Sequence, residues 1–427
     1  MIQLDYFIER LGFGPAETAF FAPLWDELVE HCSDGPSRQI SLDFMKRYWQ
    51  GAWSSDLEAR AAEVVRITAA EPAAAFYADA LDYLIMRRTP PVNCAVLPLP
   101  EKLFGSNAGV FQMMAVLGAA PRVVESFARL GIPEHYALAT QQYLPGASII
   151  YASGHEGNPG FNLKQAYWVR YYIDGRLFRL GRLEYLLHPL PSWVPPVFRR
   201  RGDGKLAVLL ADGTPIGADR RTAPNGAEVV FTASLRQRDN HIYGTPVTAD
   251  GIAQIDREVS LDLDEWEAIV TPWEIVPSLH IPSGGGMTLE LLAASLREAV
   301  EFFPRYLNFS PRIFVCHSWI FSADWEELLP ESNMMKFRRE LYTVQSPQRA
   351  SGRDGLFFIF GRDDGEVKSY PADNSVRRAF HELFRNGRPA RSGTAFITAA
   401  DVERFGSAYY LGLYRDPDCF DAPEYHQ

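Results

Sequence analysis

The sequence predicts an α+β protein: an all-helical domain over residues 1–155, followed by an α/β domain over 156–427. Two textures lead to that division. Up to about residue 152, apolar residues recur at spacings of three and four, the period of helices buried along one face. Beyond the loop 154–160, short apolar runs alternate with Gly- and Asp-rich turns, and the stretch 276–360 reads strand, Gly-rich loop, helix, strand, helix, strand. Two strands joined through a helix lie parallel, so that stretch is a crossover unit.

The helical pattern covers 5–11, 15–32, 42–49, 57–70, 72–86 and 121–130, and Ser41 stands at the N-cap of the third segment. Gly35-Pro36, Pro90-Pro91 and Gly131-Ile132-Pro133 supply the stops. No unit of about 34 or 40 residues recurs, which favours an irregular helical domain over a solenoid. Residues 162–173 fit helix or strand. Asp174-Gly175 is a turn signal, and 176–188 reads as one strand with an irregularity at Gly181. Further strands are expected at 206–210, 228–233 and 258–263. In the crossover, strands are expected at 275–281, 312–319 and 356–360, with helices at 288–303 and 324–341.

The length of 427 residues suggests two or three domains, and 47% hydrophobic with 22% charged residues excludes a disordered chain. Lys plus Arg number 42 against 53 Asp plus Glu, a net charge of -11 that argues against a nucleic-acid partner. No apolar run approaches the ~20 residues of a spanning helix, and MIQLDYFIERLG carries acids where a signal peptide is basic and apolar. The expectation is a cytoplasmic protein without a membrane partner. Cys32, Cys94, Cys316 and Cys419 are spread singly and read as small buried hydrophobes, with neither a disulfide framework nor a zinc knuckle.

Chemistry concentrates in the crossover. Gly284, Gly285 and Gly286 stand between a strand and a helix, where backbone N–H groups and the positive end of the helix dipole can receive a phosphate. The loop is neither a Walker loop nor a GxGxxG fingerprint. His280 and His317 end the two strands of the crossover, where ligands of open α/β sheets collect, and imidazoles there can transfer protons. The bland alternative is that each merely bonds a neighbouring loop. Cys316 and His317 are strand neighbours on opposite faces and cannot act as a nucleophile–base pair. Glu184 is a second candidate base, with pairing to a nearby arginine as its structural alternative. Arg199 to Arg201 read as a solvated basic loop, and no residue set has metal-ligand spacing.

Three segments carry a family likeness: RLFRLGRLEY (176–185), LHIPSGGGMTLELLAASLREAVEFF (279–303) and FVCHSWIFSADWEELLPESNMMKF (314–337). A helix at 374–386 and Arg391-Ser392-Gly393 add to it. They resemble a bacterial family of acyltransferase-domain proteins with a helical N-terminal domain and a C-terminal domain like the GNAT class of N-acetyltransferases. The resemblance implies a GNAT-like domain with a mixed central sheet and an acyl-CoA donor site. Two parallel strands, 276–281 and 313–318, would splay around the thioester. Ile281, Ser283, Gly284, Gly285, Gly286, Met287, Thr288 and Asn333 would hold acetyl-CoA or another acyl-CoA, with no metal. His280 would be the base and Glu184 its reserve. Ser318 or Tyr342 would protonate the leaving thiolate, and His317 would complete the set. The acceptor would be a small-molecule or peptide amine, with an acyl carrier protein as a further partner. The family loop usually reads Gln/Arg-x-x-Gly-x-Gly/Ala, and Pro282-Ser283-Gly284-Gly285-Gly286 lacks the leading Gln or Arg. That departure keeps open a non-catalytic binding module on the same scaffold. A hydrolase using Cys316 or Ser318 finds no GxSxG around either residue.

Overall fold

The computed structural model describes residues 2–33, 35, 37–224, 226–344, 346–347 and 351–416; Pro36 and Cys419 of the expectations above lie outside them. The chain forms two compact units, Met1–Arg179 with Pro282–Gly284, and Leu180–Ile281 with Gly285–Gln427.

The first unit is helical. Ser41 caps Leu42–Tyr48 as expected, its Oγ accepting from the Phe44 N–H at 3.2 Å. The expected helix 15–32 is two, Pro15–Phe21 and Trp25–His31, joined by a 3₁₀ turn at Ala22–Leu24 that includes Pro23. Pro72–Asp82 continues into a π turn, Tyr83–Arg87. The core is aromatic: Phe7 packs against Phe21, Phe76 and Tyr77 with ring centroids 5.0–5.9 Å apart. Residues 101–129 do reach the length and apolarity of a spanning helix, contrary to the sequence expectation, but 78% of the apolar window is buried. Burial inside the core explains that run, since every residue of the helix Ala108–Leu117 is buried.

The helical unit does not stop at 155. Residues 154–160 turn the chain back into it: the Phe161 N–H donates to the Gly109 carbonyl at 3.0 Å, and Phe161 is fully buried. Helix Tyr167–Ile173 resolves the ambiguity of 162–173, and the chain changes unit only after Arg179.

The second unit is built on a six-stranded mixed sheet. Its strands are β1 (Leu177–Leu180), where the chain passes from one unit to the other, β2 (Leu183–Pro189), β3 (Ile275–His280), β4 (Ile313–Ser318), β5 (Tyr342–Val344) and β6 (Gly393–Thr398). Their spatial order is β1-β2-β3-β4-β6-β5. The β3/β4 pair is parallel; β2/β3, β4/β6 and β5/β6 are antiparallel. Segment 176–188 is thus two strands, because Gly181 takes φ +56 and breaks the run. The expected strand 356–360 is a helix, Leu356–Phe360, bounded by Gly355 and Gly361 at φ +88 and +70. The place beside β4 is filled by the fully buried, antiparallel β6.

Between β2 and β3, residues 190–274 form an inserted module. Strands Val197–Arg200, Leu206–Val208 and Trp266–Val270 make one small sheet, and Leu235–Arg238, His241–Gly244 and Val259–Asp262 another. Phe198, Leu209, Leu261 and Trp266 share a core within it. The expected strand 228–233 is reduced to Phe231–Thr232. Behind the sheet lies helix α1 (Leu289–Leu307), whose N-cap Thr288 accepts from the Leu291 N–H.

Candidate functional site

Register decides which side chains meet. Along β2/β3, Ile275 to His280 pair one by one with Pro189 to Glu184. Directly opposite residues share a face, so His280 and Glu184 are cross-strand neighbours. Tyr185 lies on the other face, where its hydroxyl is 2.9 Å from Ser295 Oγ of α1 and its ring meets Phe303 and Phe314. Ser278 pairs with Val315, and His317 with Thr394. By alternation Glu184, His280 and His317 therefore occupy one face of the sheet, opposite α1. Two of the three expected bases are adjacent and the third shares their face.

The β3/β4 ladder is short. It registers only Ser278 with Val315, whereas each of these strands makes six registered pairs with its outer neighbour. Beyond that point the carboxyl ends, with His280 and His317, run without a shared ladder.

His280 is half-buried, and burial, reinforced by the positive charge His188 would carry, pushes its imidazole down to about 4. It is neutral at physiological pH. His317 is held on two sides: its Nδ1 lies 2.9 Å from Thr394 Oγ1, and its ring meets Trp193 edge-on at 5.1 Å. Ser318 is not with them. It lies on the α1 face, and its Oγ accepts from the Ile320 N–H to cap the turn Trp319–Phe321. Tyr342 is fully buried and donates its hydroxyl proton to the Val247 carbonyl at 2.5 Å. Neither is placed to protonate a leaving group. Cys316 is inert as expected, its Sγ–H donating to the Leu279 carbonyl at 3.1 Å and its thiol pushed up by burial.

In the loop after β3, Gly284 and Gly285 take φ +80 and +72, a conformation that only glycine adopts without strain. Ser283 and Gly284 group with the first unit, where Ser283 lies against Gly146. Gly285, Gly286, Met287 and Thr288 belong to the second. The Gly286 carbonyl accepts from Arg182 Nε at 2.7 Å, a strut from the β1–β2 turn that the sequence did not reveal, although Arg182 lies inside a recognised motif. Ile281 and Met287 rest on an apolar cluster that includes Ile320, Trp325, Met334 and Met335. Asn333 is the exposed first residue of the helix that carries those two methionines. The start of α1 is already engaged: the Glu290 carboxyl is held below its usual range by its own backbone N–H and then by the Thr288 hydroxyl. The basic run is structural, since Arg199 donates to Thr398 Oγ1 at 2.9 Å, while Arg200 pairs with Asp203 and Arg201 with Glu267.

A helical unit joined to a mixed sheet with one short parallel pair, a glycine turn and a following helix defines an α+β protein of the GNAT-like class. A family model described as the GNAT-like C-terminal domain matches residues 177–397, more than half of the chain, and the chain belongs to that family. Solved structures share the fold over 93% of this chain. One, an acyltransferase in complex with CoA and 10C-teicoplanin, is 20% identical with a TM-score of 0.58 over 100% of its own length. Another, an acyltransferase in complex with decanoyl-CoA and teicoplanin, is 20% identical with a TM-score of 0.56, again over 100% of its length. A third, an acyltransferase in complex with decanoyl-CoA, is 18% identical with a TM-score of 0.52 over 99% of its length. No curated protein matches the chain.

Proposed function

We propose that the chain is an acyl-CoA-dependent N-acyltransferase. The observation that carries this reading is the β3/β4 pair, registered at a single position and leading into the Gly285–Thr288 turn and α1. A thioester laid against the carboxyl ends of these two strands would find backbone N–H groups for its carbonyl and the start of α1 for its phosphates. The fold shared with acyltransferases bound to CoA and decanoyl-CoA supports the donor class, and extends it beyond acetyl to medium-chain acyl groups.

The acceptor nitrogen attacks the thioester carbon, a C–N bond forms, the C–S bond breaks and the thiolate leaves. The amine proton goes to the Glu184–His280 pair, and the thiolate takes a proton from water, since neither Ser318 nor Tyr342 is placed to give one. An imidazole titrating at about 4 is a weak acceptor by itself, so we assign it to orienting the amine and relaying its proton, through the neighbouring Glu184 carboxylate, to water. The amine acceptor is a small molecule or peptide, and teicoplanin, bound in two of the similar structures, is the first compound to screen.

The test is release of free CoA thiol from acetyl-CoA, decanoyl-CoA and decanoyl-loaded acyl carrier protein, with teicoplanin and a peptide panel. Glu184→Gln and His280→Ala should each lower kcat by roughly 10²-fold or more, with donor affinity unchanged. Full turnover by both variants would remove the pair from the mechanism. A second reading, a non-catalytic binding module, draws on Glu290, whose carboxylate lies where a donor phosphate would rest. If that carboxylate excludes the donor, Glu290→Gln will bind CoA at least tenfold more tightly than the parent protein in calorimetry.

A further inference from the structure

The helical unit contains a cavity of about 410 Å³ that the acyl-transfer reading does not use. Three segments meet there. The π turn Tyr83–Arg87 brings Arg87, helix Ala120–Arg129 brings Ser126 and Arg129, and helix Tyr167–Ile173 brings Arg170, with Asp174 just beyond it. Leu130 and Ile173 make an apolar wall. Three guanidiniums thus face one carboxylate, in a chain whose net charge is -11.

These arginines differ in what they already hold. Arg87 is pinned by Asp82 at 2.8 Å and Asp79 at 2.8 Å, and Asp82, itself buried, is shared with Arg122. Arg170 places Nε 3.2 Å from Asp174 and donates through Nη1 to the Met86 carbonyl at 2.5 Å, which leaves Nη2 uncommitted among the described residues. Arg129 makes no hydrogen bond or ion pair with any described residue. It stands in the last turn of its helix, where a cation favours the dipole, yet it donates to none of the terminal carbonyls. A fixed guanidinium, a half-engaged one and a free one around a single hydroxyl are the donor set for a carboxylate or phosphate, which guanidinium forks bind in pairs. The volume lies within the range of small-ligand pockets.

We propose that this cavity binds a small oxyanion, carboxylate or phosphate, carried on a short apolar body. The charged head meets Arg129, Arg170 Nη2 and the Ser126 hydroxyl, and the apolar body lies along Leu130 and Ile173. The Asp82 network keeps Arg87 in place as a background charge.

The experiment is calorimetric titration of the full chain with hexanoate, phenyl phosphate and the neutral hexanamide, repeated after saturation with CoA. At least one anion should bind, hexanamide should bind at least tenfold more weakly, and Arg129→Ala should weaken the anion by roughly tenfold, with Arg129→Glu weaker still. Binding of hexanoate alone assigns the carboxylate source; binding of phenyl phosphate alone assigns the phosphate source. CoA should leave the affinity unchanged, which separates this cavity from the donor site whether or not that site exists. Equal binding of hexanamide, an Arg129→Ala variant that binds as the parent does, competition by CoA, or no binding of either anion would each overturn the proposal. Arg129 is exposed and outside the core, so its variants fold.

Discussion

At the residue scale, His280 couples the candidate site to stability. Its imidazole titrates at about 4 in the folded chain against 6.5 for an unperturbed histidine. Between those values the unfolded chain binds a proton that the folded chain refuses, so stability is full above pH 6.5 and falls as pH drops toward 4. The loss is about 3 kcal/mol when complete. Urea unfolding at pH 7.5 and pH 4.5 should show most of that loss in the parent, and His280→Gln should show correspondingly less. Identical pH dependence in the two would contradict the burial argument. A second residue prediction concerns Gly109. A Cβ there would come within 2.4 Å of the Tyr151 ring, and Gly160 presses on the same ring from beyond. Gly109→Ala should destabilise the helical unit by about 1–3 kcal/mol, read from the urea midpoint. What sequence showed of single residues followed from strand alternation: Cys316 and His317 do point apart. It could not show that Tyr342 is spent on Val247, a partner 95 residues away in the chain; the cap at Ser318 is local, made with the N–H two residues on.

At the element scale, the β3–loop–α1–β4 crossover was legible because its signals agree. Apolar strands, a glycine turn, a Thr N-cap and a long amphipathic helix all point to one structure. The run Leu356–Phe360 misled for the opposite reason. Five consecutive apolar residues have no period, and helix and strand cannot be separated in them. Strands of the inserted module were equally hard to read, since most have two to four residues and half-exposed faces. The turn itself makes a prediction. Gly285 at φ +72 has open space around it, its nearest neighbour being Arg182 Nε at 3.8 Å from an ideal Cβ, so conformation alone penalises a side chain there. Gly285→Ala should cost about 1–2 kcal/mol of stability and weaken donor binding with it, whereas Gly202→Ala, at a negative φ in open space, should change neither.

At the scale of the whole molecule, the order of helical part and sheet part was plain in the sequence, but the border was not. Residues 154–160 carry every composition signal of a linker, and only the burial of Phe161 reveals that they are an internal turn. Nor does local pattern reveal that β2 and β3, paired along their length, are separated by residues 190–274. That module is tied to the sheet by Trp193 on His317, Arg199 on Thr398 and Val247 under Tyr342. Tyr342→Phe should therefore loosen both together, lowering stability by about 1 kcal/mol in a single cooperative urea transition; two separate transitions would mean the module folds alone.

The same separation has a consequence during synthesis. When β2 leaves the ribosome β1 is already made, but β3, the partner on its other edge, is not. The apolar edge of Leu183 to Leu187 must wait while residues 190–274 are translated, about 4–17 s at ordinary elongation rates. Through that interval the nascent chain presents an open strand edge of the kind that seeds association with other chains. β1 covers one side of the strand, and the other stays open until β3 arrives.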